Sequence, residues 1–303
     1  MSDVPRVSIG VPVRNGERRL HSVLESIRSQ TVRELEVIVC DNASTDRTEA
    51  IVRELAATDS RIRYHRNPEN IGIARNFNRA IELARAPLFK WVADDHWCAP
   101  DFLAACIDAL EAEPAAVLAY PLARGVDPDG RWLFDFHEQN LHTDSAWAHE
   151  RFRYLLCCRH PCLQQFGVMR TEVLRRTGGQ ANCPHGDNVL LAELALHGPF
   201  ARIEDRLWYR IEHGQGVNSA RSLQAMAAHF VAPGEQHVRY PHFRLLYEHA
   251  AALRRAPVRG TERARCWFQM LRWLWQYGGR LAMDPILRVG AVVTRAHRQP
   301  ARN

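Results

Sequence analysis

Between Val7 and Pro121 the chain alternates short, β-branched apolar runs with amphipathic stretches, and this alternation limits the fold more than any other feature. Val7–Val13, Leu35–Cys40, Ile62–His65, Leu88–Ala93 and Val117–Tyr120 read as strands. Between them, Arg18–Ser29, the stretch opened by Ser44 or Thr45 as N-cap, Ile73–Ala84 and the stretch behind Pro100 repeat apolar residues at helical spacing. Strands that alternate with helices predict an α/β fold built on a mostly parallel sheet covered on both faces.

In an open parallel sheet, ligands bind beyond the carboxyl ends of the strands. Here those ends are polar: Arg14 and Asn15 follow the first strand, Asp41, Asn42 and Ser44 the second, and Asp94, Asp95 and His96 the fourth. Taken singly, Asp41-Asn42 reads as a turn and Asp94-Asp95 as a helix cap. Both pairs at the ends of buried strands favour a ligand, because three carboxylates on one rim repel unless a cation joins them. A divalent metal, Mn²⁺ or Mg²⁺, carrying a diphosphate fits that requirement. The chain has neither G-x-G-x-x-G after its first strand nor a Walker-type loop, so metal and side chains, not a glycine cradle, would hold the phosphates.

At these residues the chain resembles the family-2 glycosyltransferases. The likeness rests on Val7-Ser-Ile-Gly-Val-Pro-Val-Arg-Asn15, Glu36-Val-Ile-Val-Cys-Asp-Asn-Ala-Ser-Thr-Asp46, Asn70-Ile-Gly-Ile-Ala-Arg-Asn-Phe-Asn78 and Lys90-Trp-Val-Ala-Asp-Asp-His96, in the family's order and spacing. The resemblance implies a GT-A (Rossmann-like) fold and an inverting, metal-dependent transfer of sugar from a nucleotide-diphosphate donor, typically UDP-linked. It places Pro12, Val13, Arg14 and Asn15 along the nucleotide, and Asp41 on the base with Asn42 and Ser44 beside it. Asn70, Gly72 and Arg75 fall by the ribose and diphosphate. It gives Asp94 to the ribose or sugar and Asp95 to the metal, with His96, standing where many members have a third acid, a further candidate metal ligand through its imidazole.

The second half resembles the family more loosely. Cys183-Pro-His-Gly-Asp187, before an amphipathic helix expected over Asp187–His197, sits where the family keeps a catalytic acid pair; Gly186 replaces the first member. By this likeness Asp187 is the general base that takes the acceptor hydroxyl's proton; by position alone it is equally a helix cap. His213, after the last strand (Leu207–Ile211), is a candidate third metal ligand or phosphate contact. Asp129-Gly130 predicts a hairpin turn, Ser145 a helix cap, and Phe166–Arg170 a strand. Cys157, Cys158, His160, Cys162, Cys183 and His185 superficially suggest zinc, but paired Cys-x2-Cys knuckles are missing and buried free thiols are expected.

These readings divide the chain into a catalytic domain over 1–217 (nucleotide half 1–121, acceptor half 122–217) and a helical region over 218–303. The helical region contains Pro241–Arg254, an aromatic, arginine-flanked Thr261–Tyr277, and Pro285–Arg295. Its default role is packing on the catalytic domain; a homodimer interface or peripheral contact with the inner face of a membrane are the alternatives. Among 40 Lys and Arg residues only Lys90 is lysine, and the net charge is +6. Lys90, inside a strand, is expected to snorkel to the surface, with a substrate contact as the alternative. The charge suits anionic partners, yet no nucleic-acid motif is present and acids crowd the expected cleft. With neither an export signal nor a spanning segment in the sequence, a cytoplasmic enzyme is expected. Its acceptor would be a hydroxyl on a saccharide, lipid-linked or small molecule, in polysaccharide or glycoconjugate synthesis. A sugar-nucleotide pyrophosphorylase is disfavoured because Val11–Gly16 lacks its glycine-rich basic loop; a non-catalytic sugar-nucleotide binder of the same fold is the remaining rival.

Overall fold

The structure, a computed structural model, describes residues 4–93, 96–136, 142–158, 160–212 and 240–296, with side chains to residue 282. The first half follows the expected order: β1 (Val7–Val13), α1 (Leu20–Arg28), β2 (Leu35–Asp41), α2 (Thr48–Thr58), β3 (Ile62–Arg66), α3 (Ile73–Leu83) and β4 (Leu88–Trp91). A short β5 (His96–Cys98), not foreseen in the sequence, precedes α4 (Phe102–Ala112), β6 (Leu118–Val126) and β7 (Trp132–Asp135). Then come α5 (Ala148–Cys157), a 3₁₀ turn (Leu163–Phe166), β8 (Val168–Arg170), α6 (Thr171–Arg176), α7 (Gly186–His197), β9 (Phe200–Ile211), α8 (Pro241–Arg255) and α9 (Gly260–Ala296).

The nine strands form one sheet in the order β3-β2-β1-β4-β8-β6-β9-β5, with β7 paired to β6. It is parallel through β3, β2, β1 and β4, and again at β6–β9. The contacts β4–β8, β6–β8, β6–β7 and β5–β9 are antiparallel. The sheet is therefore mixed. Helical crossovers serve the parallel strands of the first half, whereas β7 returns by a tight turn and needs none. In that turn Gly130 adopts φ +80°, and Asp127 Oδ1 accepts the amides of Asp129 and Arg131.

Strand periodicity distributes the core. Val37 and Val39 face one side with α1, α2 and α4, while Ile38 and Cys40 face the other with α3, α5 and α7. Gly10 lets β1 lie against α3: a Cβ there would fall 2.6 Å from Ala80 Cβ. α7 is not amphipathic as expected; Val189 through Leu196 are all buried, since the helix is wedged between α5 and α8. α8 and α9 share its core, with Leu253, Cys266, Met270, Trp273 and Leu281 in the same cluster as Leu190 and Leu194. The two separate C-terminal segments expected over Thr261–Tyr277 and Pro285–Arg295 are one helix that continues through Gly278-Gly279. Leu281, beyond the glycines, returns to the core and repays their poor helix propensity.

Two local expectations change. α2 starts at Thr48, and it is Asp46 Oδ1, not Ser44 or Thr45, that accepts the Thr48 amide at 3.0 Å. Phe166 ends a 3₁₀ turn instead of opening β8. Ser145 lies two residues before the α5 cap; its Oγ accepts the Trp147 amide.

Candidate active site

The loops after β1 and β2 clasp each other. Asn15, at φ 56°, donates its amide to Ser44 Oγ at 2.9 Å, and its Oδ1 accepts the Thr45 amide at 2.9 Å. A left-handed residue here turns the chain sharply off β1, a conformation asparagine tolerates better than most. Val13 is buried beneath the clasp and Pro12 half-buried, while Arg14 is exposed above it.

Asp41 is wholly buried. Its Oδ1 accepts the Ser44 amide at 2.8 Å; Oδ2 accepts the Tyr64 hydroxyl at 2.5 Å and lies 3.1 Å from Arg66 Nη1. Burial, and then the bond to this carboxylate, pushes the Tyr64 hydroxyl up to about 12, so it remains a donor. Three of the roughly four lone-pair positions of Asp41 are thus spent inside the protein. Its visible work is to shape the rim.

Asn42 does similar work on the other side. Its Oδ1 accepts the Ile71 amide at 2.9 Å and its Nδ2 donates to Asn70 Oδ1 at 2.7 Å, while Asn70 Oδ1 also accepts the Gly72 amide at 3.0 Å. Asn67 Nδ2 bridges to Asn76 Oδ1 at 2.8 Å, and Asn76 donates to Cys40 O at 2.8 Å. Gly72, at φ +84°, caps α3, and Arg75 is exposed one turn along it. Tyr64, Arg66, Asn67 and Asn76 were not singled out from sequence; the density of asparagine between positions 67 and 78 was the available signal.

Asp94, Asp95 and His213 lie outside the described residues. His96 is described and deeply buried, its ring 4.4 Å from that of Phe166 and 4.9 Å from that of Trp208. Its Nε2 accepts the Ala93 amide at 3.2 Å, which takes the lone pair that a metal would need there. Among the described residues no group of three or more His, Cys, Asp or Glu is placed to hold a metal ion. The described part of the rim does not make a metal site by itself.

Asp187 stands in the first turn of α7, half-buried, with Oδ1 accepting the Asn188 amide at 2.8 Å. The helix N-terminus favours its negative charge. The buried thiol of Cys162 donates to His160 O at 3.8 Å; burial first, and the negative charge of Asp187 second, push that thiol well up and keep it protonated. His160 next to them is lowered by burial, and its Nδ1 accepts the Cys162 amide at 3.3 Å. All eight cysteines are free thiols. A Cβ on Gly186 would meet Ala181 O at 2.1 Å, so the tight turn before α7 has no room for the acid that the resemblance puts there.

Two contacts bring this corner to the rim. Asn78 on α3 accepts the Gln180 amide at 2.7 Å and donates to Gln180 O at 3.1 Å, which fixes the loop before Asp187 against α3. The 3₁₀ turn following Cys162 ends at Phe166, whose ring packs on His96. Lys90 completes the frame from below: fully buried, it donates to Phe166 O and sits 3.9 Å from the centroid of Phe102. It neither snorkels nor reaches the rim, because the strand points it between α4 and the 3₁₀ turn.

Comparison with known proteins identifies the fold and the family. The model for glycosyl transferase family 2 matches residues 8–177. A chondroitin synthase of Escherichia coli is 26% identical over 71% of this chain and 30% of its own length. A hyaluronan synthase of Pasteurella multocida is 32% identical over 75% of this chain and 22% of its own. The chain thus spans less than a third of these relatives. Among solved structures, Staphylococcus aureus TarS 1-349 in complex with UDP-GlcNAc superposes with a TM-score of 0.65 at 15% identity, covering 90% of this chain and 73% of that one. The Pyrobaculum calidifontis mannosyltransferase PcManGT in complex with GDP-Man and Mn²⁺ gives 0.55 at 20% identity, covering 98% and 88%. The fold is GT-A, and the chain belongs to glycosyl transferase family 2.

Proposed function

We propose that this chain transfers a sugar from a UDP-linked donor to an acceptor hydroxyl in one inverting displacement, with Asp187 as general base. The observation that carries the reading is the two-point clasp between Asn78 and Gln180, which brings the loop preceding Asp187 against α3, the helix that the Asn70–Gly72 turn leads into. Asp187 takes the acceptor's proton as its oxygen attacks the anomeric carbon. The bond from that carbon to the diphosphate breaks, and the nucleoside diphosphate leaves with the electron pair. A single displacement turns an α-linked donor into a β-linked product.

Arg14 and Arg75, both exposed at the rim, are assigned to the phosphates, and Pro12, Val13 and Asn15 to the nucleoside. Asp41, Asn42, Ser44, Asn70 and Gly72 keep that surface in shape. Asp94 is assigned to the donor's ribose or sugar. A Mn²⁺ or Mg²⁺ ion bound with the diphosphate would neutralise charge on the leaving oxygen. Asp95 and His213 are the ligands assigned to it; His96 is withdrawn, because its Nε2 accepts the Ala93 amide. Relatives named chondroitin and hyaluronan synthases support a saccharide acceptor.

Calorimetric titration with UDP, GDP and TDP, with and without Mn²⁺, tests the donor half of the reading. Metal-dependent binding of UDP that Asp95→Ala abolishes is the expected result, and transfer from a matching UDP-sugar should follow. Binding without transfer to any saccharide or hydrolysis would move the protein to the non-catalytic class. Failure of all three nucleotides to bind would remove the donor assignment altogether.

A further inference from the structure

The inner side of α9 is accounted for: Cys266, Met270 and Trp273 are buried against α5 and α8. Its outer side is not. Phe268, Leu271 and Trp275, at spacings of three and four, form an apolar stripe with relative exposures of 64%, 61% and 89%. Large apolar side chains grouped in this way on a surface mark an interaction site.

The charge around the stripe has one sign. Arg272 and Arg280 are exposed, and no Asp or Glu occurs between Arg263 and Ala282. Arg265, also exposed, pairs with Glu262 one turn back and lies 5.6 Å from the centroid of Trp147, which is itself exposed at the start of α5. Glu262 is also engaged by His149. The surface thus combines aromatic and leucine side chains with arginines and lacks a carboxylate of its own over that stretch.

A second copy of the chain fits this surface poorly. A twofold contact would set arginine against arginine. Three side chains of at most about 150–250 Å² each also fall short of the roughly 800 Å² per partner of a stable interface. The outer side of a helix is convex and presents no groove, whereas a bilayer needs no complementary shape. Among the described residues no helix is long and apolar enough to cross a membrane. We propose that α9 lies on an anionic phospholipid bilayer, with Phe268, Leu271 and Trp275 entering the acyl boundary and Arg265 and Arg272 meeting the headgroups. This proposal is independent of the donor chemistry.

The test is flotation of the full chain with vesicles of phosphatidylcholine, with and without phosphatidylglycerol. Binding is expected only with phosphatidylglycerol, weakening as salt rises and by about fivefold for each of Arg265→Gln and Arg272→Gln. Phe268→Ser combined with Trp275→Ser should abolish flotation and leave the unfolding midpoint unchanged, since both side chains already face water. No flotation, equal flotation on pure phosphatidylcholine, or undiminished flotation of the double variant would each overturn the proposal. Self-association that Trp275→Ser removes, without vesicle binding, would instead assign the face to a second copy. Capture by a polyanionic peptide without vesicle binding would assign it to an acidic protein partner.

Discussion

Arg255 and Glu193 meet as a two-point ion pair, Nε to Oε1 and Nη2 to Oε2 both at 2.8 Å, across the boundary between the C-terminal helices and α7. Glu193 is fully buried, and its Oε2 also accepts the Gly178 amide at 3.0 Å. Two turns earlier on the same helix stands Asp187. The C-terminal helices thus hold the element that carries the proposed base, and both the pair and Asp187 lie beyond the matched family segment.

Removing one partner should cost more than the pair contributes. Arg255→Ala leaves a buried carboxylate uncompensated, and a loss of about 3 kcal/mol in unfolding free energy is expected, toward the lower end of the range because Arg255 is partly exposed. Urea denaturation measures it; a loss below about 0.5 kcal/mol would mean that Glu193 finds other partners.

A chain ending near Asn218 should not be monodisperse. It would uncover Leu190 and Leu194 by removing Leu253, Met270 and Trp273 from their shared cluster. Size-exclusion chromatography decides: a monomeric, active fragment would show that α8 and α9 are dispensable for the core.

Asp187→Asn keeps the shape and removes the base. Transfer should fall by roughly 10²–10⁴-fold, with nucleotide affinity unchanged within a few-fold. Steady-state kinetics and calorimetry on the same preparation separate the two effects. Equal loss of binding and turnover would make Asp187 a structural cap.

His249 should make the protein acid-sensitive. It is fully buried, neither ring nitrogen has a hydrogen-bond partner among the described residues, and burial first, then His185, lowers its pKa from 6.5 to about 3. Below its ordinary pKa the unfolded chain binds a proton that the folded chain refuses. Stability present above that value is therefore lost as pH falls toward the folded one, by up to about 1.4 kcal/mol per pH unit. His249→Leu, similar in volume, should flatten that slope between roughly pH 6 and pH 4 and leave neutral-pH stability equal or higher. Denaturation curves across this range check it.

The single lysine provides a probe of folding. Lys90 is wholly enclosed, and burial lowers its pKa. An amine-selective reagent should leave the Lys90 peptide unmodified in native protein and label it fully in denaturant, as read by mass spectrometry. Labelling of native protein would mean that β4 opens locally.

Much of the α/β half was legible in the residues. Alternating apolar positions in β1 and β2, helical spacing in α1 and α4, and polar residues at strand ends are local patterns, and local patterns survive without tertiary context. α7 defeated the reading because a helix buried all round has no polar face to show its period. α9 defeated it because paired glycines end a helix only where nothing beyond them is anchored, and Leu281 is.

Of the rim, the sequence determined which side chains gather at the strand ends: Arg14, Asn15, Asp41, Asn42 and Ser44. Only the tertiary structure decided what occupies their hydrogen-bonding groups. Asp41 is committed to Ser44, Tyr64 and Arg66, His96 takes the Ala93 amide, and Gly186 is forced by a carbonyl 2.1 Å from where its Cβ would be. A lone pair or a pocket of space is claimed by neighbours distant in the chain, so residue type and spacing can nominate a site residue while the packing determines what that residue is free to do.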